Sequence, residues 1–261
     1  MIRVCVVGAA GRMGSETVRA VCAAEDMEVA LAIDQSAGHR ALSEVCGCEA
    51  AGTIAATLPS KIEGCDVMVE FTHAESATAH AVHAASCGVS PVIGASGLTS
   101  AQQDSVSEAC RAGGVGGILV PNFAIGAVLM MRFAAEAARW FPNAEVIEMH
   151  HDKKVDAPSG TGIRTAELIS EARRSARNPD PTKQVKYEGA RGSLVRDVPV
   201  HSVRLPGLVA HQTVMFGGEG EVLTVRHDSM NRLSFMPGVL LAVRRVRELD
   251  GFVVGLDELM G

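Results

Sequence analysis

The densest set of reactive side chains lies in one short stretch, Glu148-Met149-His150-His151-Asp152-Lys153-Lys154-Val155-Asp156-Ala157-Pro158-Ser159-Gly160-Thr161-Gly162. A histidine changes charge near neutral pH, so one of these imidazoles can give or take a proton in a reaction. Lys154 adds a full positive charge. Ser159 is a natural helix N-cap, which would leave the N–H groups of Gly160 and Thr161 at the positive end of a helix. A proton donor beside a helix start and an ammonium is suited to a small anionic substrate whose carboxylates are held while a proton moves. Metal chemistry fits poorly, because adjacent histidines on a strand point to opposite faces. No metal site is expected.

A second constellation opens the chain. Gly8-Ala9-Ala10-Gly11-Arg12-Met13-Gly14 follows an apolar run, and Asp34 stands twenty residues after Gly14 (34 − 14), at the end of the next apolar run. Glycines let a strand-to-helix turn close tightly and bring backbone N–H groups to a diphosphate, while the acidic residue can accept hydrogen bonds from a ribose. Arg12 can face a phosphate. Glu70-Phe71-Thr72, Gly94-Ala95-Ser96-Gly97 and Val120-Pro121-Asn122-Phe123 end further strand-like runs, where ligands of open α/β sheets bind. Their expected ligand is a nicotinamide dinucleotide, NADH or NADPH.

The elements that must position these groups follow from periodicity. Strands are expected at 2–7, 27–33, 67–71, 91–93 and 117–120, with helices at 15–24, 74–86 and 101–112 between them. That alternation implies a parallel sheet. After Pro121 the rhythm changes to a long helical stretch, 125–141, a strand at 144–151 and a helix at 160–176. Strands at 198–204, 208–216 and 221–226 then read as antiparallel, joined by Pro-Gly and Gly-Gly turns. The expected fold class is α/β. A Rossmann-like dinucleotide-binding domain spans 1–123, and a second α+β domain with a mixed or antiparallel sheet spans 124–233. Residues 234–261, with a helix at 238–249, return to the first domain. The polar stretch 173–186 reads as a mobile surface loop.

Composition bounds the partners. With 47% hydrophobic and 21% charged residues among 261, the chain can build a sizeable core, and a net charge of −6 offers no general attraction to nucleic acid or acidic lipid. No apolar run is long enough to span a bilayer. The seven cysteines form an odd set inside apolar segments or alone, with no secretory leader before them, so reduced thiols and a cytoplasmic location are expected. Cys46 and Cys48 are close together, but no second pair at zinc-like spacing follows.

Taken together, Gly-x-x-Gly-Arg-Met-Gly, Glu-Phe-Thr, Gly-Ala-Ser-Gly, Pro-Asn-Phe-Ala-Ile-Gly and above all His-His-x-x-Lys-x-Asp-Ala-Pro-Ser-Gly-Thr resemble the dihydrodipicolinate reductase family over essentially the whole chain. The likeness includes Ser202-Val203-Arg204 and Phe216-Gly217-Gly218-Glu219-Gly220-Glu221. It implies that His150 is the proton donor/acceptor, that Lys154 is a second proton donor, and that His151, Gly160 and Thr161 contact the substrate. It further implies that Gly8 to Met13, Asp34, Gly94 to Ser96 and Val120 to Phe123 contact the cofactor, and that four copies assemble through the second domain's sheet. The implied reaction is the reduction of 4-hydroxy-tetrahydrodipicolinate in lysine biosynthesis. Loss of water gives a conjugated dihydropyridine, hydride arrives at C4, His150 supplies the proton, and domain closure excludes water.

Two positions depart from familiar members. Gln35 stands where several carry arginine after the acidic residue, and Gly94-Ala95-Ser96-Gly97 replaces the commoner Gly-Thr-Thr-Gly. An amino-acid or sugar dehydrogenase of the same plan would be expected to replace the Asp-Ala-Pro-Ser-Gly-Thr segment. A nucleotide-sensing module would need no catalytic acid.

Overall fold

The apolar runs 67–70, 90–93 and 117–119 become strands buried on both faces, as the middle of a parallel sheet requires. The computed structural model describes residues 1–48, 51–175 and 177–261. The chain divides into two units, Met1–Ile125 with Phe235–Gly261, and Gly126–Ser234. The first unit begins β1 (Ile2–Val7), α1 (Arg12–Ala23), β2 (Met27–Ile33), α2 (Leu42–Cys46), β3 (Val67–Glu70), α3 (Ala74–Ser86), β4 (Ser90–Ile93), α4 (Ser100–Gly113) and β5 (Gly117–Leu119). The second holds α5 (Ile125–Ala138), β6 (Asn143–His150), α6 (Gly160–Ala172), β7 (Ser193–Val195), β8 (Val198–Arg204), β9 (Ala210–Gly218) and β10 (Glu221–Ser229). The chain then returns to the first unit as α7 (Met236–Arg245) and β11 (Phe252–Val254).

The first sheet has the order β11-β5-β4-β3-β1-β2, with all pairs parallel. From β1 the chain steps outward to β2, then crosses back to place β3 on β1's other side. That reversal opens the crevice at the carboxyl ends of β1 and β3 in which doubly wound sheets bind ligands. Val4, Val6, Met68, Val69 and Ile93 are buried in the sheet. Thr99 caps α4 in a reciprocal pair with Gln102.

The second sheet has the order β10-β9-β6-β8-β7. Val146 at its centre pairs with Val200 on one side and Val214 on the other, and all three are buried under Ala166 and Ile169 of α6. Here the structure corrects the expected antiparallel trio. β8 runs parallel to β6, β9 runs antiparallel along β6's opposite edge, and of those three strands β9 and β10 alone join in a hairpin. β6 is a central strand whose backbone is paired along both edges, a long-range arrangement that a Pro-Gly turn read locally cannot reveal.

Other boundaries move for local reasons. α1 begins at Arg12, immediately after the glycine turn, and α5 stops at Ala138, ahead of Pro142. α6 ends at Ala172, with Arg173 already extended; residue 176, the expected helix end, lies outside the described residues. The expected helix at 238–249 starts earlier, at Met236, and ends in a 3-10 turn, Val246–Glu248. The short elements α2, β7 and β11 carry too little periodicity to be expected.

Gly238 shows how α7 is seated. A Cβ there would stand 2.0 Å from the carbonyl oxygen of Phe123. Alanine is favoured over glycine inside a helix by roughly 1 kcal/mol, but overpacking against backbone costs about 1–3 kcal/mol. Gly238→Ala should therefore lower the urea midpoint; an unchanged or higher midpoint would show that this contact does not limit packing.

Candidate active site

Along β6 the inward positions are Ala144, Val146 and Glu148, and all three are buried. A carboxylate at the inward phase of a strand must find donors or lose its charge. Glu148 finds them on every side. Arg204 grips it with both terminal nitrogens, Nη2 to Oε1 at 2.8 Å and Nη1 to Oε2 at 3.0 Å. His150 Nδ1 lies 2.6 Å from Oε2, and the Ser159 N–H donates to Oε1 at 3.1 Å. The sheet register puts these groups together: Glu148 pairs with Ser202, and His150 with Arg204. Burial alone would push the Glu148 carboxyl up, but bonds from His150, Arg204, Ser202 and the Ser159 N–H outweigh it and hold the pKa at about 2.

The carboxylate sets the histidine. With Nδ1–H committed to Glu148, Nε2 is the ring atom left to carry or accept a proton, and the ring plane is fixed. The same Glu148 holds the start of α6 through Ser159, whose side chain accepts the Gly162 N–H at 3.2 Å. A second tie runs from β9, where Gln212 pairs with Glu148 across the strands. Gln212 Nε2 donates to Thr165 Oγ1 at 2.7 Å, and that hydroxyl donates to the Thr161 carbonyl at 2.7 Å. Gly160 is exposed, and a Cβ on it would meet open space. Its glycine is not demanded by packing, and its N–H is approachable from outside the helix.

Lys154 is half-buried and donates to Asp156 Oδ1 at 2.7 Å, while Lys153 is exposed. The Lys154 ammonium holds the Asp156 carboxyl below its ordinary range. His151 is half-buried just past the strand end, where its carbonyl accepts the Lys154 N–H.

In the first unit the glycine turn is closed by its own bonds. The N–H groups of Gly8 and Ala9 go to the Ile33 carbonyl, that of Gly11 to Gly8, and that of Ala10 to Asp34 Oδ2 at 3.0 Å. Of the turn residues, Arg12 and Met13 therefore present their N–H groups at the first turn of α1, which has no side-chain cap and no acidic residue. A Cβ on Gly14 would stand 2.0 Å from the Gly8 carbonyl oxygen, so the helix can sit this close only with glycine. This uncapped, acid-free helix start over a bare backbone turn fits a dinucleotide's diphosphate.

Asp34 also accepts from the Ser36 N–H and hydroxyl through Oδ1. Burial opposes its charge most, but the bonds from Ser36, Ala10 and Ala37 together hold its carboxyl below the usual range. Phe71 covers Gly94, where a Cβ would come within 2.2 Å of the ring, and packs edge-on against Phe123 with centroids 5.7 Å apart. The carboxyl ends of β1, β3, β4 and β5 thus converge. Ala9, Ala95, Val120 and Phe123 are buried, whereas Arg12, Ser96 and Pro121 are exposed. Asn122 Oδ1 accepts the Ala124 N–H, which shapes the turn after β5.

Glu148 and Arg204 lie in stretches that stood out in the sequence but received no role there, and Thr165 and Gln212 did not stand out at all. For Glu148 the signal was present: a charged residue in phase with Ala144 and Val146. Arg204, Thr165 and Gln212 lie in distant elements, and only the register brings them near.

A Rossmann-type sheet with this glycine turn, and a second unit built around a hydrogen-bonded histidine, place the chain among the pyridine-nucleotide-dependent reductases. Two family models divide it between them, "Dihydrodipicolinate reductase, N-terminus" over residues 2–123 and "Dihydrodipicolinate reductase, C-terminus" over residues 126–260. A 4-hydroxy-tetrahydrodipicolinate reductase of Moorella thermoacetica is 47% identical, covering 99% of this chain and 98% of the relative. One from Desulfitobacterium hafniense is 44% identical over 99% of this chain and 98% of its own. A dipicolinate-bound dihydrodipicolinate reductase from Paenisporosarcina sp. TG-14 superposes with a TM-score of 0.85 at 42% identity, covering 99% of both chains. The chain belongs to the dihydrodipicolinate reductase family and is an oxidoreductase.

Glu148 gives an acid-stability prediction. Its carboxyl protonates at about 2 in the folded chain and 4.5 when free. Because the folded value is the lower, its stabilisation is complete above the free value and is lost as pH falls through the folded one, about 3 kcal/mol in all. Urea midpoints taken from about pH 6 down to about pH 2 should fall more steeply in the parent than in Glu148→Gln. Equal slopes would show that Glu148 is not the group responsible.

Proposed function

We propose that this chain reduces 4-hydroxy-tetrahydrodipicolinate, by way of dihydrodipicolinate, to tetrahydrodipicolinate on the diaminopimelate route to lysine. The observation that carries this reading is the carboxylate-fixed histidine beside the start of α6. The relative with dipicolinate bound supports a ring dicarboxylate as the ligand. Gly160 and Thr161 at the helix start, with Lys154 and His151, would hold the carboxylates. Gly8 to Met13, Asp34, Gly94 to Ser96 and Val120 to Phe123 would hold the nicotinamide nucleotide, which when bound supplies the hydride.

The chain's own part is orientation and proton management. After the substrate sheds water, its imine is conjugated to a carbon–carbon double bond. Reduction at C4 then leaves an enamine, which is basic at the neighbouring carbon. His150 Nε2 delivers the proton there, steadied through Nδ1 by Glu148. Lys154, released from Asp156, balances a carboxylate charge and stands as a second proton source. Binding the two carboxylates at fixed points supplies the orientation.

Assembly and setting follow the same reading. The sheet face away from α6 exposes Leu194, Met215 and Val222, apolar area suited to joining copies of the chain into a homotetramer. Among the described residues no helix is long and apolar enough to cross a membrane. We place the enzyme in the cytoplasm.

A synthase-coupled assay following loss of reduced nicotinamide tests the activity. His150→Gln should lower kcat roughly 10²-fold while cofactor affinity stays near the parent's. Lys154→Ala should lower kcat/KM roughly 10- to 100-fold, and Lys153→Ala should leave it unchanged. A parent-like His150→Gln enzyme, or equal losses at the two lysines, would contradict these roles.

Cofactor choice rests on Asp34. Its carboxylate, which accepts from Ser36, Ala10 and Ala37, would also accept a ribose hydroxyl, and a 2′-phosphate would meet a charge held ionised. Gln35 is exposed and uncharged, while Arg12 supplies a nearby cation in the turn. NADH should serve at least as well as NADPH, with dual use. Gln35→Arg should raise kcat/KM for NADPH by about 1 kcal/mol, roughly fivefold; a parent preferring NADPH more than about tenfold would overturn this reading.

A further inference from the structure

Three cysteines meet behind the glycine turn. Cys46, fully buried at the end of α2, points its Sγ at the Ala9 carbonyl oxygen at 3.6 Å. Arg19 of α1 donates to the Cys46 carbonyl and pairs with Glu16. Gly47 then turns the chain in a left-handed conformation, φ 65° and ψ 39°. The next residue, Cys48, lies with its Sγ 3.9 Å from Sγ of Cys22, on the last turn of α1. Cys22 is exposed and Cys48 partly so; by contrast Cys5 is buried and cannot meet a reagent from solvent.

We propose that Cys22 and Cys48 form a reversible disulfide that couples thiol oxidation to dinucleotide binding, the second half of this resting on the cofactor site proposed above. A disulfide needs its sulfurs at about 2.05 Å, so the pair must close by roughly 2 Å. Gly47 supplies the pivot. Because Gly47 directly follows Cys46, the movement bears on the Cys46–Ala9 contact and through it on the turn that Ala10 and Asp34 close.

The oxidant is a small-molecule disulfide of the glutathione type. The Cys48 thiolate attacks one sulfur of the reagent, releasing one small thiol and leaving a mixed disulfide. The Cys22 thiol then loses its proton and attacks the Cys48 sulfur, releasing the second small thiol. The two cysteines give up two electrons and two protons, and the reagent is reduced to two thiols. Partial desolvation and its two cysteine neighbours push the Cys22 thiol up to about 11, which suits it to the resolving step.

The test uses the full chain treated with glutathione disulfide, then digested with trypsin without reduction. Cleavage after Arg19, Arg40 and Lys61 isolates Cys22 in peptide 20–40 and both Cys46 and Cys48 in peptide 41–61. The expected product is those two peptides joined with the loss of two hydrogen atoms. Tandem fragmentation should place the bond at Cys48, and it should be absent from Cys22→Ser and Cys48→Ser and released by dithiothreitol. Oxidation should weaken reduced-nicotinamide binding several-fold in the parent and leave it unchanged in Cys48→Ser. A bond at Cys46, or glutathione left on Cys48 with no cross-link, would overturn the pair. A cross-link with unchanged cofactor affinity would overturn the coupling. Failure of the reduced parent to bind the cofactor would instead refute the proposed function.

Discussion

The buried carboxylate of Glu148 is the constraint on which the second unit depends. It sits with no exposure at the inward phase of β6, and its charge survives there only because Arg204, His150, Ser202 and the Ser159 N–H all donate to it. Each donor is fixed in return. Arg204 is held at the end of β8, His150 is left with Nε2 outward, and Ser159 is seated where α6 must begin. One side chain therefore joins the sheet, the imidazole and the start of α6. Replacing it with an apolar residue would leave the Arg204 guanidinium without its carboxylate, tied, among the described residues, only to the Val203 and Asp156 carbonyls.

The first unit depends on absence of side chains where the second depends on a charge. Gly14 admits α1 to the Gly8 carbonyl, Gly94 admits the Phe71 ring, and Gly238 admits α7 to the Phe123 carbonyl. The bonds within the glycine turn occupy the N–H groups of Gly8 to Gly11, so the amides of Arg12 and Met13 are left to the first turn of α1. Asp34 both closes the turn and offers an oxygen beyond it.

Much of this was legible in the residues. The alternation of apolar runs with helical spacing marked the doubly wound sheet, and β1, β2, α3 and β8 lie where periodicity put them. The glycine turn and the His-His-x-x-Lys-x-Asp-Ala-Pro-Ser-Gly-Thr stretch marked the two constellations. What escaped is what depends on register. β8 runs parallel along one edge of β6 and β9 antiparallel along the other, and the pairing of His150 with Arg204 follows from that register. Glu148 was legible in principle, as a charge in phase with Ala144 and Val146, but its partners were not, since Arg204 lies 56 residues away in sequence.

The account turns on which nitrogen of His150 carries the proton in the neutral ring. Nitrogen-15 spectra of the imidazoles, with His150 assigned by comparison with His150→Gln and recorded where the ring is uncharged, read this directly. The structure requires the proton on Nδ1, donated to Glu148, and in Glu148→Gln that preference should weaken or invert. A parent whose neutral His150 carries its proton on Nε2 would contradict the carboxylate-fixed histidine.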